Sequence, residues 1–489
     1  MDALAHLEVW RLEPLPEGRK AVKSKWVFKK KVDGRFHARL VAKGFTQIER
    51  VDFDETFSPV ARFESLQLLL ALATLENWEI HQMDIKSAFL HGNLDEEIYM
   101  EQPQGFIVAG SEHLVCRLQK ALYGLKQASR AWNLQFHGVL EELGFTRTYS
   151  DAGVYVCHRH EGGDALFVIL YVDDITILGS SLDKINDLKK SLSSRYEMTD
   201  LGEIQSYLGV NITRDRASRT MDINQTDYIE SVVERFGMRD SNPVYTPLPS
   251  GCEAHLVKNE DQASAAEIKQ FQQIIGSLLY AQIGSRPDIS FAVGRLSQYA
   301  SNPTQHHFRL AKYVLAYLNT TKDLALHYAG GNSGDGLHGY ADSSWGDQED
   351  RHSTSGFVFI LANAAISWSS RKQKTIAQST TEAEYMSLCE ASNQAMWYRT
   401  YLKELGYEVS SPIPLHCDNK GAVDLSQNPI TGRRSKHITI KHHAIREYVA
   451  KQAIELVRTP TGEMLADGLT KSLPRASFDG LVNGLGFTA

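Results

Sequence analysis

An α+β or α/β chain of several domains is what this sequence encodes. Its 489 residues are too many for one hydrophobic core. Strand-like and helix-like segments mix as far as about residue 235, and a βββαβα-like succession begins after residue 336. Between them lie a proline-rich polar loop at 241–261 and a glycine-rich run at 330–336 with the composition of a linker. The expected divisions are therefore 1–235, 236–330, a linker at 331–336, 337–475 and a tail at 476–489.

The elements follow in order. Residues 24–30 and 35–43 alternate basic with apolar around Asp33-Gly34, a type I′ hairpin signal. Residues 64–75 form a leucine-rich helix, and 79–83 are strand-like. Residues 128–143 place Trp132, Phe136, Val139, Leu140 and Leu143 on one helical face that stops at Gly144. Two apolar strands, 165–171 and 175–179, are joined by a very short acidic turn. A helical region at 264–318 breaks at Arg286-Pro287. Strands near 337–342, 355–361 and 364–369, a long helix near 380–404, a strand near 413–417 and further helices complete the pattern.

With 42% hydrophobic and 23% charged residues, the composition is that of a soluble globular protein. Apolar runs such as 166–172 fall far short of the roughly 20 residues that cross a bilayer, and the N-terminus lacks the pattern of a secretory signal. The five cysteines, Cys116, Cys157, Cys252, Cys389 and Cys417, show no CxxC spacing, so neither a disulfide framework nor a zinc knuckle is supported. A reducing, intracellular location fits. The net charge is −7, yet residues 19–43 hold ten Lys or Arg and one acid, Asp33. Arg433, Arg434, Lys436, Lys441 and Arg446, interspersed with His437, His442 and His443, make a second basic cluster. Each cluster alone reads as a solvated face; local basic stripes are also what phosphate contact requires.

Two sets of acids carry chemistry. Asp173 and Asp174 sit in the tight turn between the apolar strands, where their charges repel. A solvated turn is the bland alternative, but Val172 beside them offers no capacity for positive φ. A divalent cation relieves the repulsion, and magnesium, content with one or two carboxylates plus phosphates, is the natural one. Asp84 ends another strand-like segment. In the second set, Asp342 ends a strand, Glu384 lies in a first helical turn, Asp418 ends a strand and Asp467 lies near the C-terminus. Thr381-Glu382-Ala383-Glu384 fits a capping box, which alone would account for Glu384.

The segments KWVFKKKVDGRFHARLVAKGFTQ (25–47), ETFSPVARFESLQLLLALA (55–73), WEIHQMDIKSAFLHGNLDEEIYMEQPQGF (78–106), LQKALYGLKQASRAW (118–132) and YVDD (171–174) together resemble the copia-type reverse transcriptases. GYADSSW (339–345), STSGFVF (353–359), STTEAEYMSL (379–388), HCDN (416–419) and ADGLTK (466–471) resemble the ribonuclease H domain of the same elements. IIGSLLYAQIGSRPDISFAVGRLSQYASNPT (274–304) resembles their connection. The resemblance implies a right-hand polymerase of fingers, palm and thumb, then a connection and a C-terminal ribonuclease H-like domain. It implies Asp84, Asp173 and Asp174 as one metal set and Asp342, Glu384, Asp418 and Asp467 as another, with two Mg2+ per site and Mn2+ as the alternative ion. Glu384 rather than Glu382 matches the catalytic position.

The same resemblance makes Phe89 the aromatic that rejects a 2′-hydroxyl and Gln127 the template–nucleotide contact. Arg39, Lys25 and Lys43 become candidates for holding triphosphate or template, and Tyr171 joins the substrate contacts. The implied partners are an RNA template, a DNA primer, an RNA–DNA hybrid and dNTPs, with no membrane. The implied setting is a cytoplasmic virus-like particle, with the nucleus as a second location. Two features depart from the pattern: Ser129 stands where proline is usual, and residues 458–463 lack the histidine that many ribonucleases H carry before the last aspartate. No integrase, protease or nucleocapsid pattern is found, as expected of a fragment or of a locally bounded reading frame. The rival readings are a catalytically silent, domesticated nucleic-acid-binding remnant and an RNA-dependent RNA polymerase; the latter leaves Phe89 and the second acidic set unexplained.

Overall fold

The computed structural model describes residues 1–30, 34, 36–158, 165–331, 336–427 and 444–488. Its contacts group them into two units, Met1–Arg62 with Glu79–Glu203, and Phe63–Trp78 with Ile204–Ala489.

In the first unit, the apolar run Leu166–Tyr171 and the largely apolar strand Asp174–Gly179 are almost wholly buried. They lie inside a six-stranded antiparallel sheet ordered Met198–Glu203, Glu79–Ile85, Asp174–Gly179, Leu166–Tyr171, Val154–Cys157, Thr146–Arg147. The helix Ala128–Glu142 buries Trp132, Phe136, Val139 and Leu140 in the core beneath this sheet, and Gly144 at φ +85° follows its end. Ile185, Leu188 and Leu192 of the helix Leu182–Ser193 join the same core. A three-stranded sheet, Trp10–Glu13, Val115–Lys120, Asn93–Met100, carries a second core. The basic segments pair as an exposed hairpin, from Ser24 opposite Ala42 to Lys30 opposite Phe36. Gly34 has the positive φ, +84°, that a turn needs there; Asp33 and the rest of the expected type I′ turn fall outside the described residues.

In the second unit, the leucine-rich helix Phe63–Leu75 has no pronounced polar face and buries all of Ser65 through Thr74. The Gln67 side chain donates to Gly284 O at 3.0 Å. This helix and the division at 203–204 depart from the boundary at 235 read from composition. Five short strands, Ser206–Tyr207, Val210–Asp215, Thr220–Asn224, Ala325–Ala329 and Phe487–Thr488, form an antiparallel sheet that no sequence pattern had signalled. The helices Ala265–Gly284, Ser290–Ser297 and Gln305–Thr320 follow the expected region, with the break at Arg286-Pro287. Arg286 there is fully buried, bonded to Asp288 (2.7 and 3.0 Å) and to Thr321 O (2.9 Å).

The last sheet is ordered Ala364–Lys372, Thr354–Leu361, His338–Ser344, Ile413–Cys417, Ile454–Arg458; the first three strands are antiparallel and the last two join in parallel. The long helix Thr380–Glu404 crosses between them in sequence. Ile454–Arg458 corrects an expectation of helices alone after 417: its residues alternate between buried and open, a strand period. Linker residues 332–335 lie outside the described residues. So do Arg433, Arg434, Lys436, His437, Lys441, His442 and His443. Among the described residues no helix is long and apolar enough to cross a membrane.

Candidate active sites

Asp84 is held by the Glu79–Ile85 strand directly opposite Asp174, and Asp174 in turn pairs with Tyr171. Val172 and Asp173 are thus the two residues of a tight turn. Val172 adopts φ +59°, against the expectation that a β-branched residue would stay out of the left-handed region. Crowding at Cβ makes such a residue an outlier, costing on the order of 1–3 kcal/mol. Two bonds impose it: the Trp132 indole donates to Val172 O at 2.6 Å, and Ile85 N donates to Asp173 O at 3.1 Å. The turn is thereby fixed with its acids beside Asp84. Burial, then the charges of Asp173 and Asp84, push the Asp174 carboxyl up to about 6. A carboxyl whose proton affinity is raised by two neighbouring carboxylates fits a divalent cation held on oxygen.

Asp84 and Asp173 line a cleft of about 540 Å³ together with Arg39, Tyr123 and Lys86. Arg39 arrives on the hairpin, whose base is tied down by Ala42 N donating to Tyr123 O at 2.7 Å. Gly124, φ +89°, permits this approach: a Cβ there would sit 2.2 Å from Ala42 O. The Arg39 guanidinium lies over the Tyr123 ring, 5.0 Å from its centre. Phe89 meets that ring edge-on with centres 4.9 Å apart. Burial raises the Tyr123 phenol, and the charges of Asp173 and Asp84 add to the rise against Arg39.

The structure therefore brings Asp84, Asp173 and Arg39 to one cleft, with Asp174 in the same turn. Lys25, Lys43 and Tyr171 are not among the residues that line it. Phe89 is partly buried between two cores and touches Tyr123. Gln127 is buried elsewhere, accepting from Gln47 Nε2 (3.1 Å) and donating to Asp52 O (2.7 Å). Tyr123, like Lys86, is a cleft residue that sequence reasoning missed. It lies in the quoted Leu-Tyr-Gly-Leu-Lys-Gln run, and the neighbouring glycine was the available signal of a close backbone approach.

The other acids assemble within the second unit. The strands of Asp342 and Asp418 are parallel neighbours, Tyr340 opposite His416, so both acids come to the same end of the sheet. On the long helix Ser379 is the N-cap: its hydroxyl accepts from Glu382 N (3.2 Å), and the Glu382 carboxylate accepts from Gln378 N (2.8 Å). The capping expected of Thr381 through Glu384 thus falls to Ser379 and Glu382, and Glu384 is released for the site. Beside Asp418, Asn419 takes the equivalent load, accepting from Ala422 N at 3.0 Å. Asp467 sits in the short turn Leu465–Leu469, from which the Thr470 hydroxyl donates to the Asp342 carboxylate. Gly356, opposite Asp342, lets that turn close in, since a Cβ would meet Leu469 Cβ at 2.8 Å.

Lys471 pairs with Asp467 at 2.9 Å, and the Thr461 hydroxyl donates to Asp418 at 2.8 Å. Burial, then the Asp467 charge, pushes Asp342 up to about 7. Burial, then Asp342 and Asp418, pushes Glu384 up to about 9. Burial also raises Asp467, despite Lys471. Glu384 Oε2 and Asp467 Oδ1 are buried without a hydrogen-bond partner. Such orphaned oxygens are costly unless a cation meets them, so this set too fits a divalent ion.

A family model described as reverse transcriptase (RNA-dependent DNA polymerase) matches residues 7–250. The putative transposon Ty5-1 protein of Saccharomyces cerevisiae is 34% identical over 310 residues, covering 63% of this chain and 98% of its own length. The chain belongs to the copia-type retrotransposon Pol family. Longer Pol relatives extend the likeness. The retrovirus-related Pol polyprotein from transposon TNT 1-94 of Nicotiana tabacum is 42% identical over 493 residues, covering 98% of this chain and 36% of that one. The one from transposon RE1 of Arabidopsis thaliana is 38% identical over 486 residues, covering 98% and 32%. This Pol chain thus spans about a third of the length of those relatives. The prototype foamy virus protease-reverse transcriptase aligns over 97% of the chain and 54% of its own, at 12% identity and a TM-score of 0.26.

Proposed function

We propose that this Pol chain is an RNA-directed DNA polymerase that extends a DNA primer on an RNA template with dNTPs and cuts the RNA of the resulting hybrid at its second acidic site. What carries the reading is the strained turn that sets Asp173 and Asp174 beside Asp84 in a cleft faced by Arg39. In this reading the first unit supplies fingers and palm, and the second supplies thumb, connection and a ribonuclease H-like domain. Asp84 and Asp173, with Asp174, would hold two magnesium ions, which would supply Lewis acidity at the reacting phosphate. Arg39 meets the triphosphate, and the Tyr123 ring bounds the cleft where the sugar sits. Asp342, Glu384, Asp418 and Asp467 would hold the ions of the second site, which would supply an activated water for hydrolysis. In this reading the chain works in a cytoplasmic virus-like particle, with the nucleus as its second location.

A silent remnant is the weaker reading, because buried, mutually repelling acids destabilise a fold that has no use for them, and all seven acids remain in place. The test is separability. Asp173→Asn should cut primer extension on poly(rA)/oligo(dT) by at least ~10³, or ~4 kcal/mol of transition-state stabilisation, with hybrid cleavage intact. Asp418→Asn should do the reverse. Loss of both activities from either change, in a protein that still folds, overturns the two-site reading.

A further inference from the structure

Cys417 ends the strand Ile413–Cys417 one residue before Asp418 and is fully buried. Its sulfur, a Glu384 carboxylate oxygen and an Asp418 carboxylate oxygen all lie within 4.8 Å of one another. A second observation points to a ligand: Glu384 is 6% exposed, and its Oε2 has no hydrogen-bond partner. Magnesium and manganese work on oxygen donors, and nothing in their chemistry calls for a thiol among the carboxylates. A thiol with two carboxylates is instead a donor set for a borderline-soft ion. In a tetrahedral zinc site, with sulfur at ~2.3 Å and oxygen at ~2.0–2.2 Å, neighbouring donors stand about 3.5 Å apart. With every pair within 4.8 Å, shifts of about 1 Å close the three donors on one ion.

We propose that Glu384, Cys417 and Asp418 form a site for zinc, in which the Cys417 sulfur binds as thiolate and the two carboxylates are withdrawn from magnesium. The Sγ–zinc bond forms as the thiol proton passes to solvent, so binding releases a proton without any redox change. Binding rests on the geometry alone; its consequence, zinc-inhibited hybrid cleavage with primer extension spared, rests on the hydrolytic reading of this site.

Cobalt(II) is the probe, added to the chelator-treated full chain. A thiolate-to-cobalt absorption band in the near ultraviolet is expected, displaced by zinc. Cys417→Ser should remove the band and weaken zinc binding at least tenfold. Cys389→Ser, on another buried thiol, should change neither. If Cys417→Ser does not fold, Glu384→Gln and Asp418→Asn keep the sulfur and should each weaken zinc binding comparably. A band that persists in Cys417→Ser, that Cys389→Ser removes equally, or that neither carboxylate variant weakens, overturns the site. A band that behaves as expected while zinc leaves hybrid cleavage untouched upholds the site and overturns the hydrolytic reading instead.

Discussion

Replacing Glu384 by glutamine should stabilise the metal-free chain while abolishing hybrid cleavage. The magnitude follows from the site. An ordinary glutamate gives up its proton near 4.5, whereas here burial and the charges of Asp342 and Asp418 hold the proton up to about 9. Between those values the folded state binds a proton that the unfolded state does not, so stability falls as pH rises through that window. At pH 7 retaining the proton costs ~3 kcal/mol, at pH 5 under ~1 kcal/mol. Glutamine has the same shape and carries no such cost. In chelator at pH 7, amide exchange in the helix Thr380–Glu404 should slow by up to ~100-fold in the variant, with little difference at pH 5. Saturating magnesium should shrink or reverse the advantage, because the ion stabilises only the acid. Equal protection in both proteins at pH 7, or a gain just as large at pH 5, would refute the claim that the site stores repulsion for a cation.

Other outcomes follow from the cleft and the core. Phe89→Val should relax discrimination against rNTPs while largely sparing dNTP use; an excluded 2′-hydroxyl is worth ~1–3 kcal/mol, or ~5–150-fold. Tyr123→Val should relax it further, because Tyr123 lines the cleft and Phe89 touches its ring. If Phe89→Val lowers use of both nucleotides along with thermal stability, Phe89 is core and the gate assignment fails. Arg286→Ala strips the buried Asp288 of its charge partner, leaving it the Tyr317 hydroxyl, and should cost ~3–5 kcal/mol, read as a lower urea midpoint for the second unit. Neutralising Lys29 and Lys30, exposed on the hairpin, should flatten the salt dependence of hybrid binding; an unchanged slope would make them mere solvated charge.

What the sequence disclosed was periodic and local. The acid-ended strands, the Trp132–Leu140 face and the long helix near 380–404 were legible because alternation and the 3.6-residue period are set by the chain itself. Tyr123 was not legible, since it becomes a cleft residue only when the hairpin docks at Gly124. Nor was the positive φ of Val172, which local preference opposes and the Trp132 indole enforces. Glu384 was ambiguous beside Glu382 until the cap settled on Ser379. The strands between 198 and 224 escaped because they are short and polar, stabilised by partners as distant as Ala325–Ala329.

The helix Phe63–Leu75 has a consequence for how the protein is made. It leaves the ribosome inside the first unit's sequence, but the residues that cover it, Gly284 among them, are synthesised some two hundred positions later. At ~5–20 residues per second, this leucine-rich helix waits on the order of ten seconds or more for its cover. During that interval it is a natural holding point for a chaperone. A truncation after residue 203 leaves it bare for good and should drive the fragment into aggregates, while expressing 204–489 beside that fragment restores the cover and should return it to solution.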